Sequence, residues 1–231
     1  MKKYLFLLLL FPWLVSAQNK QVIDVASGED LSMKISYQFQ YLFPEFTNGD
    51  VYFNGHKGSG KLNYSLILCE MQFMENDQVM ALSNVKDVLM VNIDNRKFYP
   101  FNTKEFTEEL LTTSKYQLRI RRKGSATQPT KKGAYGDNSG TSAITSYSSI
   151  NNGARQQDLT VDAKVVITLN YFYYLVGETG KHKLIKNVKT FTKLFPAYSE
   201  KIKVYVKEHQ TQFDKEEDLK TLLNYCSKLG N

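Results

Sequence analysis

Residues 54–73 read NGHKGSGKLNYSLILCEMQF. The fold that we predict depends on whether this stretch is a nucleotide-binding loop or a β-hairpin. Gly55, Gly60 and Lys61 match a phosphate-binding loop, G-x-x-x-x-G-K-[ST], up to its last position. Such a loop needs a hydroxyl residue after the lysine, to bind magnesium, and a helix whose N-terminus faces the phosphates. Leu62 has no hydroxyl, and the residues after it alternate as a strand does. The stretch therefore predicts a glycine-rich hairpin between strands at 51–53 and 62–69, rather than a nucleotide site.

The residues on either side of this hairpin also favour strands. Residues 33–43 alternate between apolar and polar side chains, which predicts a half-buried strand. Further strands are predicted at 79–82, 85–93, 97–101, 115–122 and 161–176, with hairpin turns at 75–78 and 177–180. Residues 103–113 fit either a helical turn or an edge strand.

The hydrophobic period changes to that of a helix after residue 186. Asn187 is a candidate cap for a helix that ends near Phe195, and Pro196 suits the first turn of the next helix. Leu219, Leu222 and Cys226 recur at helical spacing before Gly230. We therefore predict an α+β fold. It consists of a mainly antiparallel β-meander of eight to eleven strands, curled into a barrel-like sheet or a sandwich, with C-terminal α-helices packed on it.

The N-terminus predicts an exported protein. Lys2 and Lys3 precede an apolar run at 4–15, and small residues at 15–17 suit a signal-peptidase site. The run is shorter than the ~20 residues that a membrane-spanning helix needs. We predict a signal peptide at 1–17 and a mainly β domain at 18–186 with a long polar loop at 123–158. A helical segment at 187–231 belongs to the same domain, and we predict no transmembrane segment after signal cleavage.

Charge and cysteine content narrow the chemistry. The chain has a net charge of +7, which becomes +5 without Lys2 and Lys3. This charge allows attraction to anionic polymers or lipid headgroups, and we expect no nucleic acid partner. Cys69 and Cys226 are a possible disulfide, but both lie in apolar patterns, so we favour two buried thiols. Two cysteines and three histidines lack metal-ligand spacing, and we expect no metal or other cofactor.

The strongest binding candidate is a basic stretch that runs into the polar loop. Arg119 and Arg121 share one face of a predicted strand, and tyrosines follow in the loop. Guanidinium groups suit carboxylates or phosphates, and tyrosines suit sugar or peptide contacts. The alternative is a solvated strand face whose charges deter edge-to-edge pairing. The candidate binding residues are Arg119, Arg121, Arg122, Lys131, Lys132, Tyr135 and Tyr147.

Several segments resemble a group of uncharacterised secreted proteins of the Bacteroidota. They are GDVY at 49–52, LNYS at 62–65, AYGDNSGTSAITSYSS at 134–149 and KLFP at 193–196. The resemblance extends over most of the mature chain and implies a Gram-negative cell envelope with no assigned activity. It suggests the periplasm or the outer membrane rather than full secretion.

The sequence indicates no reaction and no catalytic residue. We expect a non-enzymatic cell-envelope protein that binds a protein, a polysaccharide or a lipid, with the Arg119–Tyr147 region as its contact surface. One alternative is an envelope or glycan hydrolase whose carboxylates the sequence does not place. Another is a carrier of an apolar small molecule in a cavity of the curled sheet.

Overall fold

A computed structural model describes residues 19–26, 29–127 and 163–229 of the chain. Within them, eleven antiparallel strands form one sheet in the order β1-β10-β9-β8-β7-β6-β2-β3-β4-β5, and β11 pairs with β10 beside β1. The strands are β1 (Lys20–Val25), β2 (Thr47–Phe53), β3 (Lys57–Ser65), β4 (Glu70–Glu75), β5 (Gln78–Ala81), β6 (Val88–Ile93), β7 (Arg96–Pro100), β8 (Phe106–Thr112), β9 (Tyr116–Thr127), β10 (Ala163–Gly177) and β11 (His182–Ile185).

Five α-helices of the described residues accompany the sheet. They are α1 (Leu31–Lys34), α2 (Tyr37–Gln40), α3 (Val188–Thr192), α4 (Ser199–Glu208) and α5 (Glu216–Leu229), with 3-10 turns at Val85–Asp87 and Pro196–Tyr198. None of the helices in the described ranges is both long and apolar enough to cross a membrane. The predicted α+β class, with strands first and helices at the C-terminus, is confirmed.

The sheet is curled but does not close into a barrel. The backbone N–H of Gly124 on β9 donates to the carbonyl of Leu66, in the β3–β4 connection, at 2.7 Å. Five steps of the strand order separate β9 from β3, so this contact requires strong curvature. Gly124 allows the approach, because a Cβ at this position would lie 2.6 Å from the Ile67 side chain. The strand β5 remains an edge.

The core consists of three apolar clusters. The first cluster lies on β2–β4 and β6–β8 and includes Phe43, Tyr64 and Phe98. The second joins β9–β11 to the C-terminal helices, which confirms that this segment packs on the sheet. The third lies between α1, α2, β1 and the far ends of β9 and β10. The second cluster contains the buried residues Leu118, Ile120, Tyr173, Leu175, Ile185, Phe191, Phe195, Ile202, Leu219, Leu222, Leu223 and Cys226.

The stretch NGHKGSGKL forms a hairpin, as predicted, but its turn is shorter than expected. Only residues 54–56 connect β2 to β3, and the Phe53 N–H donates to the His56 carbonyl at 3.0 Å. Gly55 has φ of 91°, a conformation that favours glycine. Gly58 and Gly60 lie within β3 and pair with β2. The predicted turn at 75–78 is also a hairpin, and Asn76 and Asp77 both have positive φ.

The strand predicted at 33–43 is wrong. This segment forms α1 and α2, and Tyr41 makes only an isolated bridge to Ser65. The buried side chains are those of Leu31, Ile35, Phe39 and Phe43, which recur every four residues. Met33, placed on the buried face by the strand prediction, is 86% exposed. The apolar residues of this segment therefore fit a helical period as well as the two-residue period of a strand.

Four other boundaries need correction. The strand predicted at 62–69 ends at Ser65, and residues 66–69 form a turn. The strand predicted at 85–93 begins with a 3-10 turn and continues as β6. Residues 106–112 form β8, which lies between β7 and β9 and is not an edge strand. The loop predicted at 123–158 begins later, because residues 123–127 complete β9; its remainder from 128 lies outside the described residues, as does the predicted signal peptide.

Candidate binding surfaces

Arg119 and Arg121 lie on the face of β9 that points away from the C-terminal helices. Their neighbours across the register on β10 are Tyr174 and Phe172, whereas Ile120 between them faces the second cluster. The prediction that the two arginines share one face of a strand is confirmed. Their strand is internal and the arginines are largely covered, so they do not form the solvated edge considered as the alternative.

Both guanidinium groups already have partners within the protein. Arg121 donates to Glu105 at 3.0 Å and stacks between the rings of Phe101 and Phe172, 4.7 and 4.9 Å from their centroids. Arg119 stacks on Tyr99 at 3.9 Å. Its Nε donates to Gln117 at 3.0 Å. Both side chains are thus engaged within the protein, and Arg121 has an anionic partner.

His182 completes this face from β11. Its ring lies 5.0 Å from that of Phe101 and 5.8 Å from that of Tyr174, and its Nε2 is 3.5 Å from the Thr107 hydroxyl. Burial, and secondarily the nearby charge of Arg119, lower the pKa of His182 below its ordinary value. Three strand spacings separate β8 from β11, so the contact with Thr107 is a further consequence of the curl.

Arg122 points to the opposite face, where it pairs with buried Glu108. Glu108 also accepts a bidentate pair of bonds from Arg96, at 2.6 and 2.7 Å. On its other side, Arg122 lies 3.7 Å from Glu216 at the start of α5. The structure thus separates Arg122 from Arg119 and Arg121. The four remaining predicted binding residues, Lys131, Lys132, Tyr135 and Tyr147, lie outside the described residues.

A second basic region, which no sequence motif indicates, lies at 181–210. It contains eight lysines and two glutamates, a net charge of +6 in a chain whose total is +7. All eight lysines are exposed. Four of them lie on α3 and α4, whose buried side chains include Phe191 and Ile202. Counting charges in a sliding window would have found this region. We call it the lysine surface: Lys181, Lys183, Lys186, Lys189, Lys193, Lys201, Lys203 and Lys207.

The lysine surface is almost free of internal neutralisation. In the part of the chain that the structure describes, the ion pairs of these eight residues comprise only that of Lys203 with Glu200, at 2.6 Å. This differs from β9, where each arginine has an anionic, amide or aromatic partner. Seven exposed lysines without an ion pair among the described residues thus lie within 181–210, on and around β11, α3 and α4.

A pocket of about 170 Å³ opens beside the lysine surface, between the β8–β9 turn and the helical layer. The Tyr116 hydroxyl donates to the Leu194 carbonyl at 3.2 Å, and its ring lies 4.9 Å from that of Phe195. These contacts fix one wall. The pocket is lined by Thr113, Ser114, Lys115, Tyr116, Leu194, Phe195, Pro196, Ala197, Tyr198, Leu223, Cys226 and Ser227.

The two cysteines are free, buried thiols, as the sequence favoured. Burial raises the pKa of Cys69 to about 11 and that of Cys226 to about 12. Both are therefore protonated at neutral pH and poor nucleophiles. Across the described residues, no group of three or more histidine, cysteine, aspartate and glutamate side chains is arranged to hold a metal ion.

Comparison with known protein families, with curated proteins and with solved structures found no match. The function must therefore be argued from the surfaces described above. The resemblance to secreted proteins of the Bacteroidota stays a prediction.

Proposed function

We propose that this is an exported, non-enzymatic cell-envelope protein that binds anionic lipid headgroups through the lysine surface. The observation that carries the proposal is the set of eight exposed lysines in 181–210, of which Lys203 alone is seen paired among the described residues. Each lysine near an anionic membrane contributes about 1 kcal/mol of attraction, which falls off within a Debye length.

The type of basic residue favours a lipid surface over a defined anionic site. The lysine surface contains no arginine. Lysine is a compact point charge on a flexible stem, whereas arginine suits bidentate recognition of one carboxylate or phosphate. A set of mobile point charges fits a fluid layer of headgroups, in which no single geometry has to be matched.

Two alternatives from the sequence gain less support. A glycosidase needs one carboxyl group held protonated as its acid. Burial alone would raise the pKa of Glu108, but bonds from Arg96 and the charge of Arg122 outweigh it, and the pKa is lowered. For a carrier with a cavity inside the curled sheet, the pocket of about 170 Å³ gives no support, because it lies between the β8–β9 turn and the helical layer.

The Arg119–Tyr147 region stays a predicted contact surface for a protein or polysaccharide partner. Reversing the charge of its arginines would be a poor test, because Arg122 neutralises the buried carboxylate of Glu108. Such a variant would lose stability whether or not the region binds anything.

The lysine surface is tested by sedimentation of the mature chain with vesicles. Vesicles of phosphatidylglycerol mixed with phosphatidylcholine should bind the protein, and binding should weaken steeply with salt. The triple reversal Lys189→Glu, Lys201→Glu, Lys207→Glu should reduce binding by a hundredfold or more, since removing three lysines costs about 3 kcal/mol.

The matched control is Lys61→Glu, Lys86→Glu, Lys97→Glu, which changes the net charge equally at three exposed lysines on and beside the sheet. It should retain most of the binding. Equal losses in the two variants, or equal binding to pure phosphatidylcholine, would contradict the proposal. Binding to an anionic polysaccharide with no binding to vesicles would also overturn it.

A further inference from the structure

We infer that the pocket beside the lysine surface binds the alkyl chain of a single-chain anionic amphiphile, whose acidic headgroup remains at the pocket mouth. This inference rests on the proposed function and names a ligand class for the same side of the molecule. The pocket lies between the β8–β9 turn and the segment that joins α3 to α4.

The lining suits a chain of carbon atoms. Side chains of Leu194, Phe195 and Leu223 form the interior, and the polar group of Tyr116 is already engaged with the Leu194 carbonyl. The Cys226 thiol is 2% exposed and behaves as a small apolar group. A dry cavity of ~150 Å³ holds a molecule of about benzene size, so about six carbons fit here.

The mouth of the pocket carries the positive charge of exposed Lys115, which lines it. Lys193 and Lys228 are exposed and are each adjacent in sequence to a lining residue. The lining segments 111–118, 193–199 and 222–229 contain these three lysines and no acidic residue. The mouth therefore suits a carboxylate or phosphate, while the interior suits the chain attached to it.

Access to the pocket is open on the side of residues 114–115 and 196–197. Ser114, Lys115, Pro196 and Ala197 are all exposed, whereas Leu223 and Cys226 at the other end are buried. An amphiphile would thus enter chain first, with its headgroup stopping at Lys115. A carboxylate of eight carbons matches this depth, with about six carbons inside.

Isothermal titration calorimetry of the mature chain with octanoate tests the inference. Octanoate should bind with a saturable isotherm and at least threefold more tightly than octanol, and acetate should not bind. Ala197→Trp, an exposed substitution at the mouth, should weaken octanoate binding at least tenfold. Lys115→Gln should leave octanol binding unchanged and remove most of the preference for octanoate.

The control for the mouth substitution is Ala81→Trp, at an exposed position on β5. It should bind octanoate as the unaltered chain does, and thermal melts should show both tryptophan variants folded. Unchanged octanoate binding in Ala197→Trp, or equal binding of octanol and octanoate to the unaltered chain, would overturn the inference. Vesicle sedimentation of Ala197→Trp separates the two proposals, since the lysine surface is intact in this variant and should still bind anionic vesicles.

Discussion

Asn63 fixes the path of the segment that leads from α2 into β2. It is completely buried on β3, and its Oδ1 accepts from the Phe43 N–H at 3.1 Å. Its Nδ2 donates to the carbonyls of Phe43 and Glu45 at 3.0 and 3.1 Å. One amide side chain thus satisfies backbone groups that would otherwise be buried without partners.

We predict that Asn63→Leu lowers the free energy of unfolding by about 2–4 kcal/mol, because it leaves the N–H and C=O of Phe43 unsatisfied. Urea denaturation of the mature chain measures this loss. The same substitution at exposed Asn48 on β2 should change stability by no more than ~0.5 kcal/mol. Similar losses in the two variants would show that Asn63 does not have this role.

At the scale of elements, the sequence predicted the hairpins and C-terminal helices well. Turn residues such as Asn76 and Asp77 and the cap Asn187 act within a few residues, so their effect is local. The segment 33–43 was mispredicted because it carries two periods, and contacts with distant residues select between them. Phe43 is held by Asn63, twenty positions away, which no local pattern reveals.

Prediction of the candidate site from the sequence is limited by distant contacts in the same way. The shared face of Arg119 and Arg121 follows from strand alternation and was predicted. The ion pair of Arg121 with Glu105 and the hydrogen bond of Arg119 to Gln117 were not, because they depend on the pairing of strands and on side-chain rotamers. The lysine surface required no such knowledge, since lysine side chains are almost never fully buried unless they are paired.

The short helix α3 depends on its cap. Asn187 accepts from the Thr190 N–H at 2.9 Å, and the Thr190 hydroxyl accepts from the Asn187 N–H at 3.0 Å, which together form a capping box. Asn187→Ala should therefore cost about 1 kcal/mol, and Asn187→Ser should retain most of the stability. Thermal denaturation of the three proteins gives the comparison. Equal melting temperatures for the alanine and asparagine forms would argue that packing of Phe191 alone holds α3.

At the scale of the whole molecule, an ionic cluster around buried Glu108 connects two of the apolar cores. Arg96 lies 4.7 Å above the Phe43 ring of the first core and pairs with Glu108. Glu108 pairs with Arg122, which reaches Glu216 at the start of the helix that fills the second core. Removing one partner from a buried pair leaves the other charge uncompensated.

This cluster predicts how the fold responds to acid. Burial opposes ionisation of Glu108, but Arg96 and Arg122 outweigh it, so its pKa in the folded state lies below the ordinary 4.5. Stability from Glu108 is thus complete above pH 4.5 and is lost as the pH falls through the folded-state pKa. Glu108→Gln should cost about 3–5 kcal/mol of unfolding free energy at pH 7. Between pH 7 and pH 3, this variant should then lose less stability than the unaltered chain loses. Urea denaturation from pH 7 to 3 tests this, with Glu75→Gln at the exposed end of β4 as the control. Parallel losses of stability in Glu108→Gln and the unaltered chain would mean that the acid response arises elsewhere.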